Sequence, residues 1–239
     1  MKLKVSFGSM IPMYLIVFIL CITATVFGSE AVTALTEQSQ LTGRTCIIID
    51  AGHGGVDGGA TSCTGILESQ INLDISIRLN DLLNLLGYPT KMIRTTDISV
   101  YTEGETIAAK KVSDLKNRVK TVNQLSYGLL ISIHQNYFLQ TKYHGAQVFF
   151  ANDDESRALG NMLQNLLISS LNKESNRKAK IATGIYLMEH INNPGILVEC
   201  GFISNSVEEA KLRDASYQKK LSCVISTVTA NFLDRKHSA

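Results

Sequence analysis

Three short aliphatic runs constrain this chain more than any other feature: "IIID" at 47–50, "LLISI" at 129–133 and "GILVE" at 195–199. Runs of this kind, without polar alternation, suit strands covered on both faces of a sheet. Apolar residues between them recur at helical spacing. Glu68 to Leu86 reads as a helix with Ile71, Ile75, Leu79, Leu82 and Leu86 on one face, stopped by Gly87. Leu115 to Leu125 reads as a second helix started by Ser113, Asp153 to Leu171 as a third capped by Asp153, and Ser216 to Leu233 as the last. Thr45 to Asp50, Lys91 to Thr95, Ala146 to Ala151 and a short Ile185 to Met188 complete the strands. This alternation predicts one α/β domain: a mostly parallel, twisted sheet with helices on both faces. Such a sheet carries its functional site beyond the carboxyl ends of the strands.

Reactive groups fall at those ends. His53 lies three residues past the first strand, His134 directly follows "LLISI", and Glu199 closes "GILVE". Glu68 opens the helix after the first strand. Each has an ordinary explanation: a histidine in a surface loop, or a carboxylate favoured by a helix N-terminus. Glu199 resists one, because a carboxylate ending an apolar strand before Cys200-Gly201-Phe202 would be half-buried without a partner. Together, two imidazoles and a carboxylate make a catalytic zinc set, His53, Glu68 and His134, with a fourth position for water whose pKa then falls to about 7. Glu199 is left to act as general base.

The glycine-rich "GHGGVDGG" at 52–59 has neither a GxGxxG frame nor the GK[ST] ending of a phosphate loop, so no nucleotide site is expected. Asp50 reads as a group bracing that loop. His144 and His190 read as surface or groove residues, and His237 as tail.

A formal charge of +2 is too small and too evenly spread to argue for nucleic acid. Lys2 and Lys4 precede an uncharged apolar stretch, Ile11 to Gly28, with Ser29 and Ala31 beyond it. The pattern suits a secretory signal or an N-terminal membrane anchor over 1–31, and so an exported protein, secreted or membrane-anchored. A linker at 32–43, a catalytic domain at 44–235 and a tail at 236–239 follow. Cys46, Cys63, Cys200 and Cys223 lack CxxC spacing and read as free thiols rather than a zinc ribbon or a disulfide framework.

The motifs resemble those of the zinc-dependent N-acetylmuramoyl-L-alanine amidases of bacterial cell-wall turnover. "IIIDAGHGG" is similar to the family's first-ligand motif, Glu68 falls on its carboxylate ligand, "SIHQN" at 132–136 resembles its second histidine motif, and "VECGFISN" at 198–205 its catalytic glutamate motif. "RTTD" at 94–97 and "DLKNRVKTVN" at 114–123 fit its intervening elements. Two departures stand out: His134-Gln135-Asn136-Tyr137 where the family commonly has "HANA", and Cys200 where it has a small hydroxyl or aliphatic residue. The layout resembles the germination-specific amidases of spore formers, which act in the spore cortex.

The resemblance implies one Zn²⁺ on His53, Glu68 and His134, Glu199 as the catalytic base, peptidoglycan as substrate, and a role in muramic lactam formation and germination. Asn136 is a candidate substrate contact. With no wall-binding repeat in the sequence, a separate protein activator or delivery factor is a further expectation. Two alternatives remain at this point: a thiol hydrolase pairing Cys200 or Cys63 with His134, and a non-catalytic peptidoglycan-binding module.

Overall fold

The computed structural model describes residues 45–237. The segments read as signal or anchor and linker, and the last two residues of the tail, lie outside them. Among the described residues, no helix is long and apolar enough to cross a membrane.

Six strands form one sheet. In chain order they are β1 (Cys46–Ala51), β2 (Thr90–Met92), β3 (Gly128–Asn136), β4 (Gln147–Phe150), β5 (Lys180–Ile181) and β6 (Gly195–Phe202), arranged β2-β1-β3-β6-β4-β5. The first four in that order run parallel, whereas β4 pairs antiparallel with β6 and carries β5 parallel to itself. The expected mostly parallel α/β architecture is therefore present, with a reversed pair at one margin.

Side chains alternate across a strand, and two cores result. Ile47 and Ile49 of β1, Leu129, Ile131 and Ile133 of β3, and Ile196 and Val198 of β6 face α1 (Glu68–Leu85), α3 (Asp154–Leu171) and α6 (Ala215–His237). Ile48, Leu130 and Leu197 face the other way, against Val122 of α2 (Ile107–Asn123) and Leu187 and Met188 of α4 (Tyr186–His190). A further helix, α5 (Ser206–Arg213), follows β6 and adds Leu212 to the first core.

Several boundaries differ from the sequence reading for physical reasons. The second helix begins at Ile107 because the Thr106 side chain accepts from Ala109 N at 3.2 Å. Ser113 lies inside that helix, where its hydroxyl instead accepts from Thr102 N and Glu103 N of the preceding loop. Ile185 to Met188 is no strand: residues 186–190 form the short helix α4. Strand β2 ends at Met92, and β3 runs on through His134 to Asn136. Asp153 does cap α3, accepting from Ser156 N at 2.8 Å.

The apolar face of α1 also drifts. It buries Ile71, Ile75, Leu79 and Leu83 in steps of four, while Leu86 is 54 % exposed. Leu83→Ala is expected to cost about 2–5 kcal/mol of unfolding free energy, and Leu86→Ala no more than about 0.5 kcal/mol; urea titrations of the two variants check this.

Candidate metal centre

The site is built on the turn between β1 and α1. His53 adopts φ 59°, a left-handed conformation that non-glycine residues rarely take and that clusters at functional sites. Two buried arginines hold it there. Arg94 donates to Ala51 O at 2.8 Å and to Gly52 O at 3.0 Å, and also to Thr96 O and Ser69 O. Arg118, from α2, donates to Ala51 O at 3.0 Å and His53 O at 2.7 Å, and pairs with Asp50 and Asp114.

Asp50 therefore braces the loop, as expected. It also accepts from Ser132 Oγ at 2.6 Å. Burial works against its charge, but the Arg118 guanidinium and the Ser132 hydroxyl hold its carboxyl below the usual carboxylate range.

Glu68 opens α1, whose first N–H groups donate to Ala60 O and Gly58 O of the glycine turn rather than to a capping side chain. One carboxylate oxygen accepts from Ala60 N at 3.0 Å and faces His53 Nε2 at 3.3 Å. The other faces His134 Nδ1 at 3.0 Å and accepts from Gln135 N and Asn72 Nδ2. Although burial opposes its charge, these contacts hold Glu68 well below the ordinary range. His53 is pushed up to about 9: burial alone would lower it, but Asp57 and Glu68 outweigh that.

Two glycines make room. A Cβ on Gly52 would lie 2.2 Å from His134 Nε2, and one on Gly59, at φ 70°, would lie 2.7 Å from both Glu68 Oε2 and His53 Cδ2.

His53, Glu68 and His134 thus offer ligand atoms that all lie within 4.8 Å of one another. With a divalent ion in place of the His53 proton, two neutral imidazoles and one carboxylate would suit an ion of borderline softness such as zinc. The buried Glu68 charge meets no lysine or arginine in the ion pairs among the described residues, only the two histidines, so a cation fits what the cluster lacks.

Glu199 arrives by strand register. It pairs with His134 across β3 and β6, just before the register shifts between His134 and Asn136, a local irregularity of the kind that re-aims side chains next to sites. Its Oε2 is buried with no hydrogen-bond partner among the described residues. Burial pushes its carboxyl up to about 7.

Asn136 ends β3, half-buried, one residue past Gln135. His144 is exposed, and His190 stacks on Tyr186 with its Nδ1 at 2.8 Å from Tyr186 O; neither joins the cluster. Cys200 is buried and burial drives its thiol far above the usual range, the opposite of what a thiol nucleophile needs. Cys63 and Cys223 are exposed free thiols.

Sequence reading missed Asp57, which faces His53 Nδ1 at 2.9 Å, and the bracing roles of Arg94, Arg118, Asn72 and Gln135. The arginines sit in the "RTTD" and "DLKNRVKTVN" segments noted above, but nothing in their spacing betrays burial.

A mostly parallel α/β sheet with two imidazoles and two carboxylates at the carboxyl ends of its strands defines a protein with a candidate metal centre. The chain belongs to the N-acetylmuramoyl-L-alanine amidase family, which matches residues 47–229. A germination-specific N-acetylmuramoyl-L-alanine amidase of Bacillus subtilis is 37% identical over 181 residues, covering 75% of this chain and 76% of that protein. Among solved structures, the CwlD amidase of Clostridioides difficile, in complex with the GerS lipoprotein, matches with a TM-score of 0.76 at 37% identity, over 79% of this chain and 98% of its own. An N-acetylmuramoyl-L-alanine amidase of Clostridium difficile 630 matches with a TM-score of 0.68 at 28% identity, over 80% and 97%.

Because folded Asp50 is depressed, its stabilisation is complete above the unfolded value of about 3.9 and is lost as the pH falls below it. Arg118→Met leaves that charge buried with its main partner gone, an expected cost of about 3–5 kcal/mol at neutral pH. Protonation of the stranded carboxyl relieves the variant, so its deficit should shrink as the pH falls towards about 4. Denaturant unfolding at several pH values reads both.

Proposed function

We propose that this protein hydrolyses the amide bond between the lactyl group of N-acetylmuramic acid and L-alanine in peptidoglycan, using one Zn²⁺ held by His53, Glu68 and His134 and Glu199 as base. The observation that carries this reading is the convergence of the three donors within 4.8 Å, beside a buried carboxylate oxygen that has no partner, in a chain of the amidase family.

When bound, zinc supplies Lewis-acid polarisation of the scissile carbonyl and brings the pKa of water to about 7. Glu199 as carboxylate accepts a proton from the attacking water, and the new C–O bond forms at the lactyl carbonyl. The C–N bond then breaks as Glu199 returns the proton to the departing alanine amine. The products are a muramic acid free of peptide and a peptide with a free L-alanine amine. Glu68 faces both histidines of the donor set and is held in its charged form, which places it to hold the ion rather than to shuttle the proton. Asn136, at the end of the His134 strand, contacts the substrate in this reading.

The 37% identity to a germination-specific amidase supports a role in spore cortex modification, including muramic lactam formation, and in germination. We also propose that the apolar stretch 11–28 directs the domain across the membrane, as signal or anchor, towards the spore cortex compartment. A protein activator or delivery factor is part of the proposal; the neighbour solved together with a lipoprotein supports it.

Digestion of intact peptidoglycan followed by mass spectrometry tests the reaction: free-amine L-alanine peptides and peptide-less glycan are expected, and product loss after chelation is restored by zinc. Glu199→Gln should keep its zinc yet lose about 10²–10⁴-fold in kcat. Activity falls with acid as Glu199 takes up its proton, and the limb lies at or below pH 7 because a resident cation draws the carboxyl down from about 7. A Glu199→Gln protein cleaving at the wild-type rate would remove Glu199 from the role.

A further inference from the structure

Asp57 lies in the same glycine turn as His53, on the side away from Glu68. Its Oδ2 accepts from His53 Nδ1 at 2.9 Å. Its Oδ1 accepts from Gly59 N at 3.2 Å and meets Lys111 Nζ of α2 at 2.8 Å. One carboxylate therefore ties together the histidine, the backbone of the turn that leads to Glu68, and a helix from the opposite layer.

The two histidines of the cluster differ in this respect. His53 presents Nε2 to Glu68 and has Nδ1 engaged, whereas His134 presents Nδ1 and packs its Nε2 edge against Gly52. A neutral imidazole has two tautomers, and only the one with its proton on Nδ1 leaves a lone pair on Nε2. Asp57, as carboxylate, can only accept, so it selects that tautomer and fixes the ring plane. The left-handed backbone at His53 makes the constraint more necessary, since the side chain projects from a short turn rather than from a strand.

From this geometry we propose that Asp57 is the positioning residue of the metal centre: it sets the tautomer and orientation of His53 and so tunes the site's affinity for its divalent ion. Lys111 anchors Asp57 in place without being needed for that selection, because it is half-exposed and touches the other carboxylate oxygen. The inference rests on the zinc reading above. Loss of such a partner to a metal-bound histidine weakens metal binding about 10–100-fold. Asparagine in place of Asp57 can turn its amide N–H towards Nδ1 and stabilise the wrong tautomer, so it is no conservative replacement.

The test is zinc affinity, measured by chelator competition on purified wild-type protein and on Asp57→Ala, Asp57→Asn and Lys111→Met. A rise of about 10–100-fold in Kd is expected for both Asp57 variants, and a change within about threefold for Lys111→Met, which alters the same loop contact but keeps the acceptor. Nitrogen-15 and proton spectra of the zinc-loaded proteins should show the His53 Nδ1–H in the same strong hydrogen bond in wild type and Lys111→Met, and shifted in Asp57→Ala; a merely structural role for Asp57 would leave that signal in place. Wild-type affinity in Asp57→Ala, or a loss in Lys111→Met equal to that in Asp57→Ala, overturns the proposal. A wild-type protein that takes up no zinc overturns the metal reading and this inference with it, whereas zinc uptake unchanged in the Asp57 variants removes Asp57 alone.

Discussion

A guanidinium removed from water costs several kcal/mol unless its charge and its N–H groups are met by the protein, and two such groups are buried at the end of β1. Arg94 spends its donors on backbone carbonyls, and Arg118 divides its own between two carboxylates and two carbonyls. Both reach Ala51 O, Arg94 adds Gly52 O and Arg118 adds His53 O, where the chain leaves the sheet. The placing of His53, the approach of Glu68 across Gly59 and the packing of His134 on Gly52 all follow from the path these two arginines impose. A loop with so many glycines would otherwise have a large choice of conformations to lose on folding.

This clamp also explains which parts of the molecule were legible beforehand. Aliphatic runs such as Ile47–Ile49 and Leu129–Ile133 announce buried strands, because only a doubly covered sheet hides them, and the residues just past such runs are the natural candidates for a site. His53, His134 and Glu199 were readable in that way, and Glu68 as the residue that opens the helix after the first strand, all at one sheet edge. Arg118 was not: in a helix with Lys110, Lys116 and Lys120 it looks like one more solvated cation, and only the fold brings Asp50 within its reach. Ser113 misled for a related reason. A serine two residues before Leu115 and its apolar-spaced run resembles a helix cap, yet its hydroxyl serves the preceding loop from inside the helix. The reversal of β4 was equally hidden, since a strand's apolar pattern carries no direction.

The departure from the family pattern at Gln135 bears on this cluster. Gln135 is buried and donates to Asn72 Oδ1 at 3.1 Å, while its backbone N–H supports Glu68. Asn72 in turn donates to Gly52 O and to Glu68. The polar side chain after His134 is met by an amide on α1, and the resulting chain of contacts ends on the carboxylate between the two histidines. Gln135 and Asn72 thus add to the support of Glu68 and leave the donor set as it is.

The two carboxylates at this edge are separated by environment more than by distance. Glu68 receives backbone and side-chain donors on both oxygens and stays charged far into acid; Glu199 has one buried oxygen without a partner and holds its proton up to about 7. A carboxylate that its donors keep charged, and that faces two imidazoles, is suited to hold a cation between them. A group whose two protonation states lie close in free energy near neutral pH is suited to take a proton and return it. One sheet edge thereby supplies a permanent charge and a labile one, and that division of labour, not the presence of two acids, is what hydrolysis of an amide requires of it.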